Sequence, residues 1–324
     1  YTALVTPATE ALTTATNNLV GSASGDTFTG TFGTGATLTA ADTIIDSTTS
    51  DADTLTLTGA AFGNSADTST ATITNIETVN IVFDTLTAAT IDAAGISSAS
   101  TINASNVRAG SGAALTVTNI TDGSTLSISD FNTVTNATAD AGGDLTLNAN
   151  SATTNVRGTV STDGVLTVNA AAATGTVRGD SATGDVTING AAATVLTANS
   201  TSGDITVTGA ANANVDAVST AAGNITVTTA LADDVVATTT GAGTVTATGE
   251  GDTAMTVTAR TSTVTLSAND AVNNATVTAT GTGAGVESDT LNVTSGDDFT
   301  IANQAADVVE TINVTGTAAI DATI

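Results

Sequence analysis

Apolar and polar residues alternate along most of the chain, in short phrases of the form apolar-Thr-apolar that return at a nearly constant interval. From residue 126 onward, successive phrases lie 19 to 21 residues apart, with one longer gap of 27 residues. Alternation at period two predicts strands with one buried face, and a period near twenty residues predicts stacked repeats. The phrases begin at Leu126, Leu145, Leu166, Val186, Ile205, Ile225, Val245, Val264, Leu291 and Ile312.

A second apolar stretch follows many of these phrases by about ten residues, which predicts two strands in each repeat. It occurs at Val156, Val177, Val195, Val215, Val235 and Met255. A glycine precedes several first strands, and we interpret it as a corner that needs the backbone freedom of glycine. These glycines are Gly143, Gly164, Gly184, Gly203, Gly223 and Gly243.

The repeat predicts an all-β chain, a β-solenoid or parallel β-helix with coils of about 20 residues and two strands per coil. A lone coil buries almost nothing, whereas stacked coils pair every strand with the coil above and below. A string of immunoglobulin-like sandwiches is disfavoured, because its strand pattern would recur only at about 100 residues.

The regularity divides the chain into three segments. Residues 1–20 contain Pro7 and no glycine, so we expect a linker or short helix there. Residues 21–125 have unevenly spaced phrases and are predicted to be an irregular solenoid segment. Residues 126–324 are predicted to be the regular solenoid, with a loop insertion near 280–288, in the sequence GTGAGVES. We expect the whole to be a piece of a larger protein.

Composition restricts the function. The chain has 31 acidic residues, four arginines and a net charge of -27. Such an acidic chain repels the phosphates of nucleic acid, so we do not expect nucleic acid as a partner. It contains no Cys, His, Lys or Trp, so the soft-metal ligands and the most frequent general base are missing. We therefore expect that it is not an enzyme. The sequence has no run of 18 apolar residues, and no membrane span is expected.

Four phrases near the N-terminus carry a resemblance to a known family. They are NLVGSASGDTFTG (18–30), ATLTAADTIID (36–46), DADTLTLTG (51–59) and ITNIETVNI (73–81), and a related phrase, VVETINV, follows at 308–314. These phrases resemble RTX-type bacterial surface-layer proteins and adhesins that are exported by type I secretion. The resemblance implies a calcium-stiffened β-solenoid that coats the cell exterior.

Calcium is the expected cation, because five aspartates fall within 28 residues at expected corners. Calcium takes six to eight oxygen ligands, which corners of successive coils supply through carboxylates and carbonyls. The alternative is a set of solvated acidic corners that attract diffuse cations. The candidate metal ligands are Asp26, Asp42, Asp46, Asp51 and Asp53.

Two surface features suggest partners. Arg157 and Arg178 are 21 residues apart, so we expect them in adjacent coils. One interpretation is a positive patch that docks the carboxylates of a neighbouring copy or a cell-surface polysaccharide. The alternative is that each arginine forms a local ion pair. Outward columns of Thr-x-Asn and Thr-x-Thr resemble the ice-binding faces of antifreeze β-solenoids, although threonine is also a common exposed strand residue.

The expected function is that of a structural component of a bacterial surface layer, which self-assembles into an extracellular lattice or fibre. The expected location is the bacterial cell surface. The alternative is an RTX adhesin or an ice-binding stalk module.

Overall fold

The computed structural model describes residues 6–60, 63–108, 112–139, 143–209, 214–229, 234–239, 243–250, 254–259, 261–267, 275–280, 289–295, 299–303, 309 and 311–316. The described chain is an all-β, parallel-strand β-solenoid with coils of about 21 residues. It contains no helix in these ranges, and so none that is long and apolar enough to cross a bilayer. The chain forms two compact units, Tyr1–Ser161 and Thr162–Ile324.

The first unit has three parallel sheets. One contains the first strands of successive coils, in the order β1-β3-β5-β8-β10-β12-β14, and the second has the order β6-β9-β11-β13-β15. A short third sheet, β2-β4-β7, adds another side to the earliest coils. The strands are β1 (Thr9–Ala11), β2 (Asn18–Val20), β3 (Thr27–Gly33), β4 (Thr43–Ile45), β5 (Thr54–Ala60), β6 (Ser65–Asp67), β7 (Thr72–Thr74), β8 (Thr78–Phe83), β9 (Ala89–Asp92), β10 (Thr101–Asn106), β11 (Ala114–Ile120), β12 (Ser124–Ser129), β13 (Thr133–Ala139), β14 (Leu145–Asn148) and β15 (Val156–Val160).

The second unit has two strands in each coil. Its two parallel sheets have the orders β16-β18-β20-β22-β24-β26-β28-β30 and β17-β19-β21-β23-β25-β27-β29. The strands are β16 (Leu166–Asn169), β17 (Thr176–Ser181), β18 (Val186–Gly190), β19 (Val195–Ser200), β20 (Ile205–Gly209), β21 (Asn214–Ser219), β22 (Ile225–Thr229), β23 (Asp234–Thr239), β24 (Thr244–Glu250), β25 (Ala254–Thr258), β26 (Thr261–Ser267), β27 (Ala275–Thr280), β28 (Thr290–Ser295), β29 (Phe299–Asn303) and β30 (Thr311–Gly316).

The predicted register of the second unit is confirmed through its central coils. Val186 pairs with Leu166 in one neighbouring coil and with Ile205 in the other, and all three side chains are buried. The core between the two sheets is thin. A Cβ atom built on Gly179 of β17 would lie 2.9 Å from Cγ1 of Val186 in the opposite sheet, so only hydrogen fits there.

Three details of the predicted alignment are wrong. Leu126 pairs with Leu147, whereas Leu145 pairs with Ser124, so the alignment is shifted by two residues there. Val264 likewise pairs with Ala247 and Val293, whereas Ser262 pairs with Val245 and Leu291. In the second sheet of the second unit, Leu196 is the buried residue, and the neighbouring Val195 is only half-buried. Alternation alone does not distinguish registers that differ by two residues, because both put the same side chains in the core.

Glycine recurs at the corners of successive coils, but the physical reason for glycine differs from the expected one. In the second unit, the described corner glycines have no positive φ angle. Instead, successive corners lie so close that a Cβ atom on Gly203 would be 2.1 Å from the carbonyl oxygen of Gly184. Close approach of the two backbones, rather than a left-handed conformation, therefore requires glycine.

Buried serines connect these corners, and the sequence analysis missed them. Ser200 accepts a hydrogen bond from Gly203 N–H at 2.9 Å and donates to the carbonyl oxygen of Gly184, one coil earlier, at 2.9 Å. Ser181 repeats the pattern with Gly184 N–H and the carbonyl of Gly164. The hydroxyl thus satisfies backbone groups that the strands leave unpaired at the corner.

The N-terminal segment differs from the expected linker or short helix. Within the described part, residues 6–20, β1 pairs with β3 and β2 pairs with β4, so these residues belong to the first coil, residues 6–25. The expectation failed because the segment lacks the corner glycine and contains proline, although Pro7 precedes the strand and leaves its ladder intact. The expected loop at 281–288 lies outside the described residues.

Candidate metal centre

Acidic residues occupy one corner position in three successive coils of the first unit, directly before β3, β5 and β8. These residues are Asp26, Asp53 and Glu77. Each carboxylate accepts a hydrogen bond from the backbone of the preceding coil: Ala8 N–H donates to Asp26 at 2.5 Å, Asp26 N–H to Asp53 at 2.6 Å and Asp53 N–H to Glu77 at 2.9 Å. The carboxylates therefore point along the stack rather than into solvent.

Asp46 brings a further carboxylate to this corner from the end of β4. One oxygen from each of Asp26, Asp46 and Asp53 lies within 4.8 Å of the other two. All three residues are buried, with at most 1% of their surface exposed. Gly21 lies against them, since a Cβ atom at this position would be 2.2 Å from Asp46 Oδ1 and 2.7 Å from Asp26 Oδ2.

The negative charge of this cluster is not balanced by the described residues around it. Asp46 Oδ1, Asp51 Oδ2 and Asp53 Oδ2 are buried and accept no hydrogen bond from the described residues. Burial raises the pKa of Asp53 to about 6, the hydrogen bond from Asp26 N–H opposes the rise, and the charges of Asp46, Asp51 and Glu77 add to it. Buried anions of like charge without a counter-ion are unfavourable, so the geometry favours a bound cation.

Asp26 differs from Asp53 because its oxygens have more donors. Burial alone would raise the pKa of Asp26, but hydrogen bonds from the backbone of Ser22 and Ala8 and from the Ser22 hydroxyl lower it below its usual value. Asp26 is therefore a stable anion, which is the state that a metal ligand requires.

Asp42 and Asp51 have other positions. Asp42 is buried in a separate corner, where Asn17 donates twice to Oδ1 and Thr39 donates twice to Oδ2. Burial would raise the pKa of Asp42, but these hydrogen bonds lower it, so its carboxylate acts as a structural acceptor. Asp51 borders the cluster and accepts a hydrogen bond from the hydroxyl of Thr48, but it is not one of the three convergent carboxylates.

The donor set fits calcium better than other common cations. All convergent side-chain donors are carboxylate oxygens, which hard cations prefer. Calcium takes six to eight oxygen ligands in a flexible geometry, whereas magnesium usually keeps several waters and takes one or two carboxylates. Three convergent carboxylates therefore favour calcium. Carbonyl and water oxygens complete such a coordination sphere.

The raised pKa of Asp53 predicts an unusual pH dependence in the presence of chelator. Since the pKa is about 6 in the fold and near 3.8 otherwise, protonation stabilises the fold. This contribution is complete below about pH 4 and is lost as the pH rises through about 6. We expect the first unit to gain up to about 3 kcal/mol between pH 7 and pH 4, measured by thermal unfolding in EGTA.

The Asp53→Asn variant has no carboxyl group to protonate at position 53. Its first unit should therefore not become more stable between pH 7 and pH 4. A steady fall in the stability of the wild-type protein from pH 7 to pH 5 would contradict the prediction. Below about pH 4 the trend should reverse, because Asp26 and Asp42 have lowered pKa values and their protonation removes stabilising hydrogen bonds.

The arginines and threonines also have definite positions. Arg178 forms an ion pair with Asp180, with Nε 2.7 Å from Oδ2, and Arg108 pairs with Asp84. The local ion pair that the sequence left open is therefore present at Arg178. Outward threonines are exposed in the central coils of the second unit, at Thr206, Thr208, Thr226, Thr228 and Thr246.

Sequence reasoning missed two residues of the candidate centre. Glu77 follows Asp53 by one coil, and Gly21 leaves room beside the carboxylates. The ITNIETVNI phrase could have indicated Glu77, since its Thr-Val-Asn strand starts one residue later. Comparison with known proteins adds no assignment, because no protein-family model and no curated protein matches the chain.

Proposed function

We propose that this chain is a structural component of a bacterial surface layer, in which identical copies associate into an extracellular lattice or fibre. The observation that supports the proposal most strongly is the repetitive outward face of one parallel sheet in the second unit. Between Thr187 and Thr246, outward positions of successive coils carry threonine in register. A periodic face of this kind presents the same chemistry at every coil, so identical copies can pack along it without a pocket or a catalytic group.

Calcium is part of the proposal as a structural cation, with Asp26, Asp46 and Asp53 as its ligands. Cell-surface polysaccharide remains a proposed further partner. The pairing of Arg178 with Asp180 weakens the argument from the arginines, since the guanidinium already has a carboxylate partner.

Electron microscopy of the purified chain, with calcium and with EGTA, tests the proposal. We expect two-dimensional arrays or bundled fibres at micromolar protein concentration when calcium is present. A matched pair of variants gives the control. Thr206→Lys together with Thr226→Lys places charge on the proposed contact face, whereas Thr183→Lys and Thr201→Lys place the same charge at exposed corners. Dispersed monomers under all conditions, or equal assembly of both pairs, would contradict the proposal.

An ice-binding stalk is the second candidate, and the exposed threonine columns favour it. Thr206 and Thr208 pair with Thr226 and Thr228 in the next coil, which gives two parallel columns of methyl and hydroxyl groups. The face changes in earlier coils, where the Asn189 amide donates to Asn169 at 2.7 Å. Thermal hysteresis by the dispersed protein, abolished by Thr206→Lys with Thr226→Lys, would support this function instead.

A further inference from the structure

The first coil, residues 6–25, has little hydrophobic contact with the rest of its unit. Leu12 is its buried apolar side chain, and Asn17 is its other buried residue. Val20 is 58% exposed. Strand β1 covers only the first three residues of the seven-residue β3. Burying one leucine contributes about 1.5 to 3 kcal/mol, which does not offset the entropy of ordering twenty residues.

Polar contacts also attach the first coil, and three hydrogen bonds converge on Asp26 of the carboxylate cluster. Asp26 accepts hydrogen bonds from Ala8 N–H and from the N–H and hydroxyl groups of Ser22. Gly21 N–H donates to the carbonyl of Ile45 at 2.9 Å, next to Asp46. Both ends of the first coil are therefore held beside the same group of buried anions.

The same cluster opposes this attachment when it has no counter-ion. Asp46 Oδ1 and Asp53 Oδ2 are buried without a hydrogen-bond donor from the described residues, and both belong to residues at most 1% exposed. Opening the first coil would let water reach these oxygens. A bound cation removes the repulsion and makes the closed arrangement favourable.

We propose that calcium, bound between Asp26, Asp46 and Asp53, closes residues 6–25 onto the solenoid, so that the first coil folds only when the cation is bound. Asp26 directly precedes β3, Asp46 directly follows β4, and Asp53 directly precedes β5. One ion thereby joins the first coil to the two that follow it. This property is independent of lattice assembly.

Gly21 has a specific part in this arrangement. Its lack of a side chain leaves the space beside Asp46 Oδ1 and Asp26 Oδ2 that a methyl group would fill. The Gly21→Ala variant keeps every carboxylate and the net charge, yet it should block the cation. A site that needed only diffuse negative charge would not respond to this substitution.

Hydrogen exchange and calorimetry of the full chain in 0.15 M salt test the proposal, with calcium chloride as the probe and magnesium chloride and EGTA as comparisons. We expect a saturable heat with calcium, and amide protection of residues 6–25 that is at least tenfold higher than in EGTA. Protection of residues 166–209 should not change. The unfolding temperature of the first unit should rise by about 5 to 10 °C at saturating calcium.

Three variants separate the explanations. Asp53→Asn keeps an oxygen for the hydrogen bond from Asp26 N–H and removes one repulsive charge, so it should abolish the calcium response while it raises stability in EGTA. Gly21→Ala should abolish the response if Asp53→Asn does not fold. Asp122→Asn removes an exposed charge from the same unit and should leave the response intact.

Heat that does not saturate, or equal responses in all variants, would show diffuse screening and overturn the proposal. Saturable binding without a change in protection at residues 6–25 would overturn the proposed closure of the first coil. Failure of the protein to form arrays bears on the proposed surface-layer function and leaves the calcium measurements unaffected.

Discussion

The Val186→Asp variant is expected to lose the folded state of the coils around β18. Val186 is fully buried between Leu166 and Ile205 of the neighbouring coils, and Gly179 faces it across the thin core. A carboxylate there would be buried among apolar groups without a partner. The cost of burying such a charge is at least about 4 kcal/mol, which is a large part of the stability of a typical domain.

Thermal unfolding followed by circular dichroism measures this effect, and Thr187→Ala is the matched control. Thr187 lies on the outward face one residue away and is half-buried, so its truncation should change stability by about 0.5 kcal/mol or less. Similar melting curves for Val186→Asp and the wild-type protein would mean that Val186 does not face the core.

The Gly203→Ala variant should destabilise the second unit by about 3 kcal/mol or more. Its methyl carbon would lie 2.1 Å from the carbonyl oxygen of Gly184, 2.3 Å from the carbonyl carbon and 2.7 Å from the backbone nitrogen of Asp185. These are backbone atoms of the adjacent coil, which cannot move aside as a flexible side chain does. The coils must separate, and that separation also breaks the hydrogen bond that Ser200 donates to the Gly184 carbonyl.

Thr201→Ala is the control for this substitution, because Thr201 is exposed two residues away. Its effect on the midpoint of denaturant unfolding should be small. If Gly203→Ala were as stable as Thr201→Ala, close approach would not be the reason for glycine at this corner.

The sequence predicted the fold because the two periods that define a β-solenoid are both visible in it. Alternation identified Val186 and Ile205 as buried, and the interval near twenty residues identified them as neighbours. The shift at Leu126 was not predictable, because pairing with Leu145 or with Leu147 buries the same face. Corner geometry decides between the two registers, and it depends on contacts between coils.

The candidate centre was predictable only as a region rich in aspartate. Asp42 and Asp46 are four residues apart, yet their carboxylates differ. Asn17 and Thr39 donate to both oxygens of Asp42, whereas Asp46 Oδ1 accepts no hydrogen bond from the part of the chain that the structure describes. Local sequence does not show which donors from a preceding coil reach each carboxylate. The role of Gly21 was not predictable for the same reason, because the side chains beside it are those of Asp26 and Asp46.

The pairing of each strand with its counterpart one coil away has a consequence for folding speed. Most β proteins fold slowly because strands far apart in sequence must meet, and the entropy of closing long loops opposes that search. Here Val186 meets Ile205, and Ile205 meets Ile225, each after a single coil. The sequence separation of contacts therefore stays constant however many coils are added. Once a first pair of coils has formed, each new coil can dock on the exposed strand edge of the last folded coil. Folding time should therefore grow in proportion to chain length. The chain can also fold coil by coil as it emerges during synthesis.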